Sequence, residues 1–243
     1  MLSEQYVRYR EQNIELLNKY ADSILAVSER VRKIMIQHGT NPNKVVTSYI
    51  GTKFAEKELK YSIAQNRIPF TIAYLGYERI DKGYYFFIDA LSKINKEIAS
   101  KINIVLAVSK IHKNSYEGKL DHFNDVIVYN GYTHSTLPDI LKNVNLGVVP
   151  VLWEDNLPQV AIEMVALGVP ILCSDFGGAS ELCNSDLFKF SGGNEEDFQN
   201  KLLNIVNNSE LLKDYWNNHP DLTTMEKHIE SLLKIYSGED TNA

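Results

Sequence analysis

Residues 146–174 read LGVVPVLWEDNLPQVAIEMVALGVPILCS. A near-continuous apolar run covers 146–151, a polar turn follows, 158–167 carries helical spacing, and a second apolar run covers 169–174. Strands buried on both faces read as such runs, and two of them joined by a helix make a parallel βαβ unit. Inside the unit, Asp155 and Glu163 stand eight positions apart. Asn156 suits a helix N-cap and Pro158 a first helical turn. Asp155 is therefore expected in the loop and Glu163 on the second turn. The free N–H groups and positive end of a helix suit a ligand carrying hydroxyls and phosphate. Taken alone, the same pair also reads as two solvated acids on a surface loop.

The rhythm continues on both sides. Strands are expected at 70–76, 102–108, 125–131 and 187–190, and helices at 82–100, 135–143, 195–207 and 209–217. Residues 178–183 read as a short helix, and 109–123 have no clear pattern. Alternation of this kind predicts an α/β fold, a doubly wound, mainly parallel Rossmann-like sheet over about residues 45–220 with flanking terminal helices. Ahead of it, 3–22 read as a polar helix and 21–28 as a short apolar run. Ser28 then caps a helix striped by Val31, Ile34 and Met35. Residues 45–51 are strand-like, 53–67 form a charged connector, and 222–236 make a final amphipathic helix.

Composition narrows the function. A chain of 243 residues that is 44% hydrophobic can bury a sizeable core. A net charge of -6 without a basic block argues against non-specific nucleic-acid binding. Cys173 and Cys183 lack metal-ligand spacing, as do the histidines, and Cys173 reads as a small buried hydrophobe. With no leader pattern and no long apolar run, a cytoplasmic location is expected. There is no Gly-x-Gly-x-x-Gly after a strand, no Walker A loop, no Gly-x-Ser-x-Gly elbow and no Asp-x-Asp on a loop.

Ligands of doubly wound sheets bind at the carboxyl ends of strands. The relevant loops are those after Leu75, Tyr129, Pro150 and Cys173. The first, Gly76-Tyr77-Glu78-Arg79-Ile80-Asp81-Lys82-Gly83, offers Arg79 and Lys82 for a diphosphate, or else is a solvated charged turn. In the second, Gly131 lets a ligand approach the backbone, Tyr132 suits stacking or packing, and His134 reads as a cap or a solvent-facing side chain. The fourth holds Gly177 and Gly178, a tight turn read as structural, with Ser180 or Asp175 as the cap.

Together these motifs resemble the carboxyl-terminal, donor-binding half of a GT-B fold glycosyltransferase of the retaining group 1 (family 4) type. Residues 22–51 are similar to its crossover between domains, 76–83 to its phosphate loop, 155–168 to its two-carboxylate motif, and 169–181 to the strand and Gly-Gly turn that follow. The resemblance implies that Glu163 holds the ribose of a nucleotide. Asp155, with backbone N–H groups of Asn156 and Leu157 beside Pro158, would hold the donor sugar. Lys82 and Arg79 would stabilise the diphosphate leaving group, Gly76 and Tyr77 would form the phosphate loop, and Gly131 and Tyr132 would lie near the base.

By the same resemblance the enzyme is metal-independent and without a cofactor, its co-substrate a nucleotide-diphosphate sugar. Its acceptor would be a glycan or lipid-linked molecule, its role polysaccharide biosynthesis, and its place the cytoplasm or the inner membrane face. Residues 1–44 would be a remnant of an N-terminal GT-B domain, 45–220 the nucleotide-sugar-binding domain, and 221–243 the crossover helix and tail. Tyr77 stands where the family usually has Arg, and Asp155 where Glu is commoner. Tyr77 and the missing domain favour an alternative, a non-catalytic nucleotide-sugar-binding module that needs a separate N-terminal half. A third reading, a nucleotide-sugar epimerase, requires a different acid–base set.

Overall fold

The computed structural model describes residues 2–56, 69–217 and 221–238. The chain opens with α1 (Leu2–Tyr20), β1 (Ile24–Ala26), α2 (Glu29–Gln37) and β2 (Val45–Thr47). β1 and β2 pair in parallel as a sheet of their own. Its small core of Ile24, Ala26 and Val45 is covered by Leu17 of α1 and by Val31, Met35 and Ile36 of α2. Ser28 caps α2 as expected, its Oγ accepting from the Val31 N–H at 3.2 Å.

The larger unit contains β3 (Phe70–Tyr77), α3 (Tyr84–Ser92), α4 (Lys96–Ala99), β4 (Ile102–Ser109), β5 (Asp125–Asn130) and α5 (Leu137–Leu141). It continues with β6 (Leu146–Val149), α6 (Gln159–Ala166), β7 (Ile171–Ser174), β8 (Lys189–Phe190), α7 (Glu195–Asn207) and α8 (Leu211–Asn217), and α9 (Met225–Ser237) follows. Six strands form one parallel sheet in the order β5-β4-β3-β6-β7-β8. All four residues of β6 and all four of β7 are buried, as are the first six of β3, because helices cover both faces. From β3 the chain moves outward through β4 to β5, then returns to lay β6 on the other side of β3. The crevice between the ends of β3 and β6 is the topological switch point.

Several expected boundaries move. The helix read over 82–100 is two, because Asn95 accepts the Glu97 N–H at 2.8 Å and starts α4 afresh. The strand-like 45–51 shortens to Val45–Thr47 and pairs with β1, so the main sheet begins at Phe70. Residues 109–123 contain a 3-10 turn at Lys113–Ser115. The charged connector begins as a 3-10 turn, Lys53–Glu56, and its remainder lies outside the described residues. α9 is tied back by a parallel bridge between Thr52 and Thr224, and Ile229, Leu233 and Tyr236 remain exposed on it. Cys173 and Cys183 are buried free thiols, Sγ atoms 3.5 Å apart. No helix of the described residues is long and apolar enough to cross a membrane.

Candidate functional site

A cavity of about 400 Å³ opens at the switch point. Its wall draws on the ends of β3 and β6, on Ser109 at the end of β4, on residues 131–134 after β5 and on the start of α6. Three of the four loops singled out by sequence therefore converge, bringing Gly76, Tyr77, Lys82, Gly131, Tyr132, Pro158 and Glu163 to one space. Among the described residues, no three His, Cys, Asp or Glu side chains gather in a way that could hold a metal ion.

The first loop is held from beneath. The Tyr74 hydroxyl, from the buried part of β3, donates to the Tyr77 carbonyl at 2.8 Å and lies 3.4 Å from that of Lys82. Burial pushes the Tyr74 phenol far above its ordinary value, so it serves as a neutral donor. Gly83, at φ +74°, rests on the third loop so closely that a Cβ there would stand 1.7 Å from the Pro150 carbonyl oxygen. The Leu152 N–H also donates to the Asp81 carbonyl at 2.9 Å. These contacts bring Lys82 over the cavity.

Arg79 does not follow it there. Its guanidinium is bidentate on Asp81, both bonds 2.9 Å, its side chain is 60% exposed, and it does not line the cavity. The structure thus places Arg79 with Asp81 and off the cavity wall, apart from Lys82. A fork that matches the adjacent carboxylate is satisfied locally.

Asp155 lies between the loops, its side chain 10% exposed. Oδ2 accepts from Lys82 Nζ at 2.5 Å, and Oδ1 accepts from the Asn156 N–H at 3.0 Å. The fourth loop clamps this backbone. The Gly178 N–H donates to the Asp155 carbonyl at 3.0 Å, and a Cβ on Gly177 (φ +69°) would stand 2.2 Å from the same oxygen. Ser28 donates its hydroxyl to the Asn156 carbonyl at 2.7 Å. The structural role expected of the Gly-Gly turn thus has a specific form: it immobilises the acidic loop.

Three details of the acidic motif differ from expectation. Asn156 does not cap α6; Pro158 occupies that position without a side-chain bond, because the Asn156 backbone is engaged by Ser28 and Asp155. The N–H of Asn156 is committed to the neighbouring carboxylate rather than offered to a ligand. Leu157 is buried and turns to a separate small cavity of about 110 Å³ beside Tyr49 and Leu222. Asp155, Asn156 and Leu157 do not line the main cavity, whereas Pro158 does; Asp155 is joined to the wall through Lys82.

Glu163 projects from α6 into the far side, its side chain 5% exposed. Burial raises its carboxyl above the ordinary value, while His134 and Lys53 oppose the rise. His134 Nδ1 lies 3.2 Å from Glu163 Oε1, and its ring stands 5.9 Å from that of Phe54. Sequence reading left His134 as a cap or a solvent-facing group; only its place after Gly131 hinted at the cavity. Tyr132 is held neutral, burial being the main cause, with the nearby Glu163 and Tyr77 adding to it. Gly131, at φ +86°, has open space where a Cβ would go. Trp153 was also missed: its indole is 48% exposed, and Lys82 Nζ lies 5.4 Å from its ring centre.

Comparison with known proteins meets this geometry. Lipopolysaccharide core biosynthesis mannosyltransferase LpsB of Rhizobium meliloti (strain 1021) is 25% identical over 193 residues, 75% of this chain and 51% of LpsB. The chain thus spans about half the length of that curated relative. The crystal structure of HepE from Anabaena in complex with UDP-glucose superposes with a TM-score of 0.74 at 16% identity, covering 96% of this chain and 68% of HepE. Sucrose-phosphate synthase from Thermosynechococcus elongatus gives 0.71 at 15% identity, covering 97% of this chain and 61% of its own. At such identities the two structures speak for a shared GT-B glycosyltransferase fold. The family model for glycosyl transferases group 1 matches residues 69–208, from the first strand of the main sheet through α7 and with it every wall of the cavity; the chain belongs to that family.

Proposed function

We propose that the cavity is the donor site of a retaining, metal-independent glycosyltransferase and takes a nucleotide-diphosphate sugar. The observation that carries this is that Lys82 and Glu163 line one cavity at the switch point, with Asp155, itself off that wall, paired to Lys82. In this reading Glu163 accepts the ribose hydroxyls, Lys82 takes the diphosphate, Asp155 takes hydroxyls of the sugar, and Gly131 and Tyr132 flank the base. Breaking the glycosidic bond leaves charge on the diphosphate, and the Lys82 ammonium stabilises it there without a divalent ion. UDP-glucose in HepE and the mannosyltransferase activity named for LpsB support a hexose donor. The acceptor would be a glycan or lipid-linked molecule, bound mainly by an N-terminal GT-B domain at the inner membrane face, in polysaccharide synthesis.

Calorimetry with UDP, GDP, ADP and their sugars tests this, with Glu163→Ala and Lys82→Ala beside the unaltered chain. One nucleotide should bind, and each substitution should weaken it by about 1–3 kcal/mol, the scale of a lost hydrogen bond to a charged group. Absence of binding by all of them at millimolar concentration would sink the reading.

A second reading is a nucleotide-sugar-binding module that does no transfer until joined to a separate N-terminal half. Two observations favour it: Tyr77 rather than a cation lines the phosphate loop, and Arg79 is held by Asp81. Sugar transfer by this chain alone decides against it.

A further inference from the structure

We propose that the Lys82–Asp155 ion pair makes the site discriminate against a bare nucleoside diphosphate in favour of its sugar conjugate, with Asp155 as the specificity-determining residue. The inference rests on the donor-site reading. Lys82 is the one Lys or Arg among the described residues lining the cavity, and its ammonium already has a partner in Asp155 at 2.5 Å. The two ends of the pair are unequal. Lys82 carries a flexible stem, is 26% exposed and also lies beside the Trp153 ring. Asp155 is 10% exposed, its other oxygen is taken by the Asn156 N–H, and its backbone is pinned by Gly177 and Gly178.

An anion that draws Lys82 away therefore leaves a carboxylate that cannot follow. Stranding one partner of a mostly buried pair is costly, because the remaining charge keeps its desolvation without its attraction. A nucleoside diphosphate brings only acceptor oxygens and further negative charge, so it leaves Asp155 Oδ2 unpaired. A hexosyl conjugate brings hydroxyl donors that replace the ammonium at that oxygen. The exchange is nearly balanced for the conjugate and uphill for the bare diphosphate. Once the sugar has been transferred, the returning Lys82–Asp155 pair disfavours the nucleotide product and speeds its departure.

The test compares UDP with UDP-glucose, and GDP with GDP-mannose, by calorimetry on the full chain and on Asp155→Asn. The substitution removes the competing charge at nearly constant shape. The variant should bind the bare diphosphate roughly tenfold tighter, about 1.4 kcal/mol, and the conjugate no tighter, so the preference for the conjugate falls by the same factor. Asp155→Ser, which also removes the charge, should move the ratio in the same direction and serves if the Asn variant does not fold. An unchanged ratio, or equal weakening of both ligands, overturns the proposal while leaving the donor site intact. If the unaltered chain binds none of the four probes, the donor-site reading falls and this inference with it.

Discussion

Two pairs bear on the cavity, Lys82–Asp155 and His134–Glu163, and they are built differently. Asp155 sits in a loop pinned by two glycines and a serine and faces a permanent cation, Lys82. Glu163 sits on a helix, is buried among apolar side chains and faces His134, which is charged only when protonated. The first pair is fixed by backbone packing. The second is fixed by helix geometry, and burial raises its Glu163 carboxyl above the ordinary value. In each pair a carboxylate proposed to touch the donor is occupied before any donor arrives. Binding is then an exchange of partners rather than the filling of an empty site.

The sharpest way to break the comparison is to attack the backbone support. Gly177→Ala forces a Cβ to 2.2 Å from the Asp155 carbonyl oxygen at a left-handed φ. We expect a loss of about 2–4 kcal/mol in denaturant unfolding, as for other overpacked positions. Gly131→Ala, with open space around its Cβ, should cost only about 1 kcal/mol from its positive φ. Equal costs would mean that the fourth loop is no clamp.

Next in size is Lys82→Met. Nucleoside diphosphate binding should weaken by about 1.5–3 kcal/mol, the worth of a hydrogen bond to a charged group. The same measurement on His134→Gln should show a smaller loss, since the exposed His134 ring pairs with Glu163 whereas Lys82 is the cation proposed to meet the diphosphate.

A smaller effect separates stability from binding. Because burial raises the Glu163 carboxyl, the folded state holds that proton more tightly than the unfolded chain does. The cost of ionising Glu163 is absent below the unfolded value and grows as pH rises through the folded one. Glu163→Gln removes that cost, so the variant should melt slightly higher than the unaltered chain at pH 7. The difference should close as pH falls into the ordinary carboxylate range. A variant that melts lower at pH 7 would show that the His134 contact outweighs desolvation.

The smallest effect is assigned to Arg79→Ala, an exposed pair with its neighbour Asp81. Stability should change by less than about 0.5 kcal/mol and nucleotide binding not at all. A loss of binding would restore Arg79 to the phosphate loop.

Most of the fold was legible because its signals are local. The runs at 70–76, 102–108, 146–151 and 169–174 became the four inner strands β3, β4, β6 and β7, since a strand covered on both faces must be apolar throughout. The α7 boundaries, 195–207, match those read from the sequence, and the structure adds Asn194 as its cap. The break between α3 and α4 was missed because apolar spacing continued across it while Asn95 offered a competing cap. Residues 45–47 were grouped with the main sheet because an apolar run does not name its partner.

The sequence by itself determined that an acid lies in a loop at the end of one strand, that a second acid follows on a helix, and that a basic loop ends another strand. Periodicity and turn chemistry act over a few residues, and these statements concern only a few residues. Which cation meets which acid was decided by tertiary structure alone. Lys82 and Asp155 are 73 positions apart, and Arg79, three residues from Lys82, is turned away by its own neighbour. Ser28 reaches across 128 positions to hold the Asn156 carbonyl, and the Gly-Gly turn docks beneath Asp155. Such contacts depend on the sheet order that lays β6 against β3 and on close packing between loops, and neither leaves a mark on a local stretch of sequence.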